Sequence, residues 1–289
     1  MHLKPPRLAL LALLCFGGAT TAFAQATGLP TSQPTLITIV REEVKVGRAA
    51  EHARIEAGWP AAYERSKSSV YYLAMASMTG TREVWYIEPA ASHAAIGASM
   101  KRDDADPVLT AELQRLSRAD AEVINSLRVI QAVARPDISI GRYPDLARQR
   151  FWEITIFRVR PGHEQEFTAA AKAYGSAAQR AAPNTSYRIY EVIAGMVTPT
   201  YIIFSSVENY GEFDQMLADG MKAMQSATTE EMTALQKFST DGMINGETNR
   251  FRLDPRQSYV SRETRATDPT FWGPAPAPAR TRPGTSSRP

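Results

Sequence analysis

Alternating apolar and polar positions, rich in β-branched and aromatic residues, recur in the same order in both halves of the chain and predict β-strands. In the first half these segments are 35–47, 70–78 and 83–89, and in the second half they are 150–162, 186–195 and 200–207. The stretches that follow the first and third segment of each half have a helical pattern instead. Each half is therefore predicted to run strand, helix, strand, strand, helix, helix, final strand.

Helical periodicity and capping residues support this order. In the second half an apolar stripe with spacings of four, three and four predicts a helix packed on a sheet; its members are Phe167, Ala171, Tyr174 and Ala178. In the first half, Asp106-Pro107 supplies an N-cap and a first-turn proline. Its second-half counterpart begins at Thr228, and Glu231 completes a capping box.

The two halves also keep nearly constant spacing, which predicts an internal duplication. Gly47 corresponds to Gly162 at an offset of 115, and Trp85 corresponds to Ile202 at an offset of 117. The pair at 124–125 corresponds to that at 244–245, at an offset of 120. Such steady offsets across a whole unit indicate one supersecondary unit present twice.

The segments WEITIFRVRPGHEQEF (152–167) and LITIVREEVKVGRAAEH (36–52) carry a resemblance to a known group of proteins. Together with the element order they resemble the dimeric α+β barrel superfamily, in its NIPSNAP-like and antibiotic-biosynthesis-monooxygenase-like branches. The resemblance implies an α+β fold of two tandem ferredoxin-like units, 35–145 and 150–260, which pack on each other as a single-chain version of the usual dimer.

Within that resemblance, Pro161-Gly162 is interpreted as the turn that starts the first helix of the unit and not as a phosphate-binding loop. NIPSNAP-like relatives carry Glu-Leu-Arg on the preceding strand. This chain has Glu153, Ile154 and Thr155 there, and 38–40 in the first half read Thr-Ile-Val. Since the arginine is absent from both, an activity that needs it is not expected.

Both ends of the chain differ in composition from the middle. Residues 1–24 have the basic start, apolar run and small residues of a secretory signal. This pattern predicts export to the periplasm or to the extracellular space after cleavage at Ala24-Gln25. No later stretch is long and apolar enough to predict a membrane span. Residues 262–289 are rich in Pro and Arg and are predicted to be disordered.

Charge and cysteine content exclude several classes of function. Residues 25–261 carry 26 basic and 28 acidic side chains without a basic stripe, so a nucleic-acid-binding surface is not expected. Cys15 is the one cysteine and lies in the predicted signal, so the mature chain offers neither a disulfide nor a thiolate.

Metal and cofactor sites are not predicted. His52, His93 and His163 are inequivalent between the halves and lie in helical stretches, where a solvated surface histidine is the expected state. Asp103, Asp104 and Asp106 are interpreted as acidic residues at a helix start. Haem-binding relatives of the superfamily exist, but we expect no metal and no cofactor here.

The functional hypothesis rests on the strand faces. Trp152, Ile154 and Ile156 are expected to meet the helices, and Glu153 is expected to face the barrel interior, paired with a cation such as Arg188 or held protonated. We expect a small, largely apolar or aromatic molecule to bind in a pocket between sheet and helices; its predicted lining is Tyr72, Trp85, Glu153, Arg188 and Tyr190.

Two alternatives stay open from the sequence. One is a cofactor-independent monooxygenase-like enzyme, for which the pocket would supply a polar residue that takes a proton. The other is a structural or interaction module without a ligand. The chain is expected to form a pseudo-dimer by itself, and a higher oligomer remains compatible with the sequence.

Overall fold

The computed structural model describes residues 28–273, and every predicted strand is present in it. The strands are Leu36–Val44 (β1), Leu73–Ser77 (β2), Glu83–Ala90 (β3), Ile124–Ala134 (β4), Phe151–Val159 (β5), Arg188–Ala194 (β6), Thr200–Val207 (β7) and Met243–Leu253 (β8). The helices are Ala49–Glu56 (α1), Gly58–Ser66 (α2), His93–Asp104 (α3), Pro107–Ala121 (α4), Glu164–Ala181 (α5), Glu212–Ser226 (α6), Thr229–Lys237 (α7), Arg262–Thr267 (α8) and Pro269–Trp272 (α9). A π-helical turn, Phe238–Gly242, joins α7 to β8.

All eight strands form one closed antiparallel barrel in the order β1-β3-β2-β8-β5-β7-β6-β4. Each half contributes four strands with the same order, β4-β1-β3-β2 and β8-β5-β7-β6. The halves meet at two hydrogen-bonded seams, β2 with β8 and β4 with β6. The two four-stranded sheets are thus joined edge to edge by hydrogen bonds and do not simply pack face to face. The barrel is closed as a result, and no strand edge is left unpaired.

Local signals read from the sequence place the elements correctly. Gly162 adopts a φ of +90° in the turn between β5 and α5, a conformation that a side chain would disfavour. Asp106 accepts hydrogen bonds from the backbone N–H groups of Val108 and Leu109 at the start of α4. Thr228 and Glu231 form the predicted capping box of α7.

The barrel interior is a packed apolar core, and this overturns the predicted faces of β5. Trp152 and Ile154 are buried with Ile37, Ile39 and Trp85 inside the barrel, and do not meet the helices. Glu153 therefore points outward, to the helix side. Alternation fixes which residues share a face but not which face is inside, and here the closed interior takes the purely apolar one.

The chain after β8 also differs from the sequence prediction. Residues 262–273 were expected to begin a disordered tail, but they form α8 and α9. Trp272 is 2% exposed and packs into the barrel core, and its Nε1 donates to the carbonyl of Ala147 at 3.1 Å. Burial of Trp272 and of Arg265, and the Arg150–Asp268 ion pair at 2.6 Å, contribute to offsetting the entropic cost of ordering this segment. The predicted signal, 1–24, and the rest of the tail, 274–289, lie outside the described residues.

No helix within residues 28–273 has the length and apolar character needed to cross a membrane.

Candidate functional site

A cleft of about 1000 Å³ lies in the second half of the chain, between the outer face of the sheet and helices α5, α6 and α7. The outer face is the helix side of the barrel wall. Its floor consists of alternate residues of β5, namely Glu153, Thr155 and Phe157, together with Thr248 and Arg250 of β8. This volume is at the upper end of the range for small-molecule sites.

Aromatic rings close one end of the cleft. Phe167 of α5 stacks on Tyr201 with ring centroids 3.9 Å apart, and lies 6.1 Å from Phe157 and 5.4 Å from Phe238. All four rings come from different elements, so the helices and the sheet fix one another's positions here. This end therefore offers a rigid apolar wall.

Helix α6 forms the opposite wall and is rich in methionine. Met216, Leu217, Met221 and Met224 line the cleft, and Leu217 and Met221 are 66% and 53% exposed. Methionine is unbranched and flexible, so such a wall can adapt to ligands of different shape. Exposed apolar side chains beside a cleft are typical of a binding surface.

One ion pair supplies charge on the cleft floor. Arg250 Nε donates to Glu153 Oε2 at 3.1 Å, so the partner of Glu153 is Arg250 and not the predicted Arg188. The two residues are directly opposite on neighbouring strands, which places them in register. The Arg250 guanidinium also lies 4.2 Å from the ring centroid of Phe213. This cation–π contact helps to fix the position of the guanidinium in the cleft.

Tyr174 brings a phenol to the same cleft. Burial is the main cause that raises its pKa, and the nearby carboxylates of Glu153 and Asp219 add to the effect. Its hydroxyl therefore stays protonated at neutral pH and can donate a hydrogen bond. Together Glu153, Arg250 and Tyr174 can orient a polar group on a ligand whose remainder is apolar, and Glu153 is placed to accept a proton.

The other residues predicted to line the pocket with Glu153 lie elsewhere. Tyr72 immediately precedes β2 and pairs with Tyr259, in a cluster with Tyr63, Tyr86 and Tyr259 outside the barrel core. Trp85 is inside the barrel, where its Nε1 donates to Glu83. The structure therefore separates these two residues from Glu153 and from each other.

Arg188 and Tyr190 are the only pair of the predicted set that lies together. They line a small cavity of about 60 Å³ at one end of the barrel interior. Arg188 donates from Nη2 to the carbonyl of Gly141 at 2.9 Å and from Nη1 to that of Tyr187 at 2.7 Å. The bond to Gly141, with a further one from Nη1 to the carbonyl of Ile140, holds the connection between β4 and β5 in place, a structural use of the guanidinium.

The histidines also differ from the sequence expectation. His93 is exposed, as predicted, but His52 is 1% exposed and is not a surface residue. It lies between α1, α4 and β1, in the one group of potential metal ligands found within residues 28–273; the group is Glu42, His52, Glu56 and Asp120. Only the His52–Glu56 spacing of four was visible in the sequence, because the other two ligands come from distant segments.

No protein-family model matches the chain, and no curated protein sequence matches it. Among solved structures, an anthrone oxidase-like protein aligns with a TM-score of 0.52 and 12% identity, over 78% of this chain and 94% of that one. The chain has the dimeric α+β barrel fold. Such a fold hosts unrelated activities, so the likeness assigns no reaction to this barrel.

Two further solved structures align less closely. A proposed monooxygenase from Lactobacillus acidophilus NCFM has a TM-score of 0.49 and 8% identity, over 79% of this chain and 99% of that one. A chlorite dismutase from Candidatus Nitrospira defluvii in complex with imidazole has a TM-score of 0.46 and 8% identity, over 78% and 93%.

Proposed function

We propose that this α+β barrel binds a small, largely apolar or aromatic molecule in the cleft between the second-half sheet and α5, α6 and α7. The observation that carries the proposal is the cleft itself, with its rigid aromatic end, its methionine-rich wall and one ion pair on the floor. Ligand sites commonly combine an apolar lining with a few polar groups that fix orientation. Glu153, Arg250 and Tyr174 are those polar groups here.

A fluorescent apolar anion, 1-anilinonaphthalene-8-sulfonate, tests this binding. We expect the folded protein to bind it at one site with a micromolar Kd, the sulfonate near Arg250 and the rings against the aromatic end. Ala171→Trp places a large side chain in the cleft and should weaken binding at least ten-fold. Ala94→Trp, on the exposed surface of α3, is the matched control and should leave the Kd unchanged.

Circular dichroism of each variant must first show the native fold, because loosely folded states also bind this probe. Absence of binding to the wild type, or equal binding by Ala171→Trp and Ala94→Trp, would contradict the cleft as the site. In that case the remaining interpretation is a structural or interaction module.

A monooxygenase-like enzyme is the second candidate, favoured by the position of Glu153. A carboxylate on the floor of an apolar cleft can take a proton from an aromatic substrate whose ring lies on the aromatic wall. Oxygen consumption with anthrone as a probe substrate would test this. We expect Glu153→Gln to abolish turnover if the candidate is correct, and no oxygen consumption by the wild type would dismiss it for this class of substrate.

We also propose that the chain consists of two tandem ferredoxin-like units of the NIPSNAP-like or antibiotic-biosynthesis-monooxygenase-like kind. Identical strand order in the halves supports this, and so does the pairing register: Val44 pairs with Ile124, and Val159 pairs with Met243. A fragment of residues 25–145 should form a dimer or aggregate, because its bare seam strands need partners. A stable monomer would contradict the proposal.

A further inference from the structure

Four buried side chains converge on the helix side of the first half, away from the cleft. Glu42 comes from β1, His52 and Glu56 lie one turn apart on α1, and Asp120 is in the last turn of α4. One ligand atom from each lies within 4.8 Å of every other. His52 Nε2 is 3.0 Å from Glu42 Oε2 and 3.5 Å from Asp120 Oδ1, so these atoms point to a common centre.

Two of these ligand atoms have no hydrogen-bond partner. Glu56 Oε1 and Asp120 Oδ1 are buried and accept no hydrogen bond within the described residues, and the ion-pair contact of Asp120 Oδ1 is His52 Nε2 at 3.5 Å. Glu56 is 4% exposed and Asp120 is 3% exposed. Buried polar atoms are normally hydrogen-bonded. The Tyr86 hydroxyl and the Trp59 indole lie near Glu56, but the hydroxyl already donates to Gln257 Oε1 at 3.0 Å, and the indole N–H makes no hydrogen bond within the described residues. Both orphaned oxygens belong to the same group of four residues.

Charge is also out of balance in this cluster. Three carboxyl groups face one imidazole, and no lysine or arginine of residues 28–273 forms an ion pair with any of them. Burying several like charges is unfavourable unless a counter-charge joins them.

The second half shows that the fold does not require polar residues here. By the pairing register, β1 corresponds to β5 at an offset of 115, which matches Glu42 with Phe157 and His52 with Phe167. Phe238, the first residue of the π-helical turn after α7, packs against both of these phenylalanines, much as Asp120 contacts His52 in the first half. The three phenylalanines pack against one another with centroids 5.4–6.1 Å apart. The same location is therefore stable when it is purely apolar.

We propose that Glu42, His52, Glu56 and Asp120 bind one divalent first-row transition-metal ion, such as Mn²⁺, Fe²⁺ or Zn²⁺. Metal–nitrogen and metal–oxygen bonds of roughly 2.0–2.2 Å allow two ligands of one ion to lie up to about 4.4 Å apart. The four atoms lie within 4.8 Å of one another, so the most widely separated of them must move closer when an ion binds. The imidazole favours a transition metal over Mg²⁺ and Ca²⁺, which prefer oxygen ligands alone.

This proposal reverses the expectation that the chain needs no metal. That expectation assumed that a site would repeat in both halves, and His52 aligns with a phenylalanine. The structure instead draws all four ligands from one half, so symmetry between the halves is not a condition for the site.

The test uses untagged protein purified after export, stripped with a chelator and then given Mn²⁺ or Zn²⁺. Because the four side chains are buried, the metal is added both to the folded protein and during refolding from urea. We expect one bound ion per chain by elemental analysis, an altered Mn²⁺ electron paramagnetic resonance spectrum, and a higher Tm. No bound Mn²⁺ or Zn²⁺ by either route would overturn the proposal.

Conservative variants locate the ion. Asp120→Asn and Glu56→Gln keep the shape but remove charge, and each should weaken Mn²⁺ binding at least ten-fold. Neither should lower the Tm of the metal-free protein, since each relieves repulsion among buried carboxylates. Glu51→Gln, on the exposed side of the same helix, is the matched control and should bind as the wild type does. Unchanged Mn²⁺ binding in both cluster variants, or a Tm lowered in both without any metal effect, would refute the site.

Discussion

Replacing Glu153 with Gln separates a structural role of the cleft-floor carboxylate from a functional one. The substitution preserves the shape of the side chain and removes the charge that Arg250 contacts. If the carboxylate orients a ligand or takes a proton, probe binding or turnover falls while the fold keeps nearly all its stability. If it is only a structural partner of Arg250, stability falls and binding does not.

The expected stability change follows from the geometry of the pair. Its side chains are 25% and 33% exposed and meet through one contact at 3.1 Å. Partly exposed pairs of this kind contribute about 0.2–1 kcal/mol to the free energy of unfolding. Arg250→Gln also removes the guanidinium from the face of Phe213, 4.2 Å away, which adds about 0.5–2 kcal/mol. For a chain of this size, 1 kcal/mol shifts the Tm by roughly 2–4 °C.

The assay is a double-mutant cycle in urea, with Glu153→Gln, Arg250→Gln and both together. The coupling free energy should be below about 1 kcal/mol, with Arg250→Gln the more destabilising single change. Glu208→Gln, which breaks the exposed pair with Arg148 at 2.9 Å, is the matched control outside the cleft. A loss above about 2 kcal/mol in Glu153→Gln, with unchanged binding of the fluorescent probe, would refute a functional role for Glu153.

Three other predictions concern the ends and the pH response. N-terminal sequencing of the exported protein should begin at Gln25, and retention of Met1 would contradict export by a cleaved signal. Burial raises the folded-state pKa of Glu88 to about 7. As the pH rises from about 4.5 to about 7, Glu88 ionises in the unfolded chain before it does in the folded one, so stability should fall over this range, and urea unfolding at several pH values should show a flatter profile in Glu88→Gln. Truncation after Ser261 removes Trp272 from the core and should destabilise the protein by about 3–5 kcal/mol, whereas truncation after Gly273 should leave the Tm unchanged.

Local sequence signals predicted the elements well but not the burial of particular faces. Alternation in β5 grouped Trp152 with Ile154 correctly, and the caps at Asp106 and Thr228 marked true helix starts. Which face lies inside depends on barrel closure, and that depends on pairing between strands more than a hundred residues apart, such as β2 and β8. The alternation within a single strand constrains its register but does not identify its partner strand.

The acidic cluster was missed for the same reason. Glu42 and Asp120 are far apart in the sequence and meet His52 only because β1 and α4 pack on α1. His52 itself lies in a helix with many polar residues, which suggests exposure. The cleft was anticipated as a pocket between sheet and helices, but of its predicted lining only Glu153 lies there.

Closure of the barrel within one polypeptide frees the two halves from having to be the same. In a homodimer with this architecture, each substitution appears twice, so a buried acidic cluster on one side would be accompanied by another on the opposite side. Here the seams β2–β8 and β4–β6 join non-identical partners. One half can keep an open, ligand-sized cleft beside phenylalanines while the other concentrates carboxylates at the equivalent place. The two halves of a single-chain barrel can thus carry different sites, and a substitution in one half need not appear in the other.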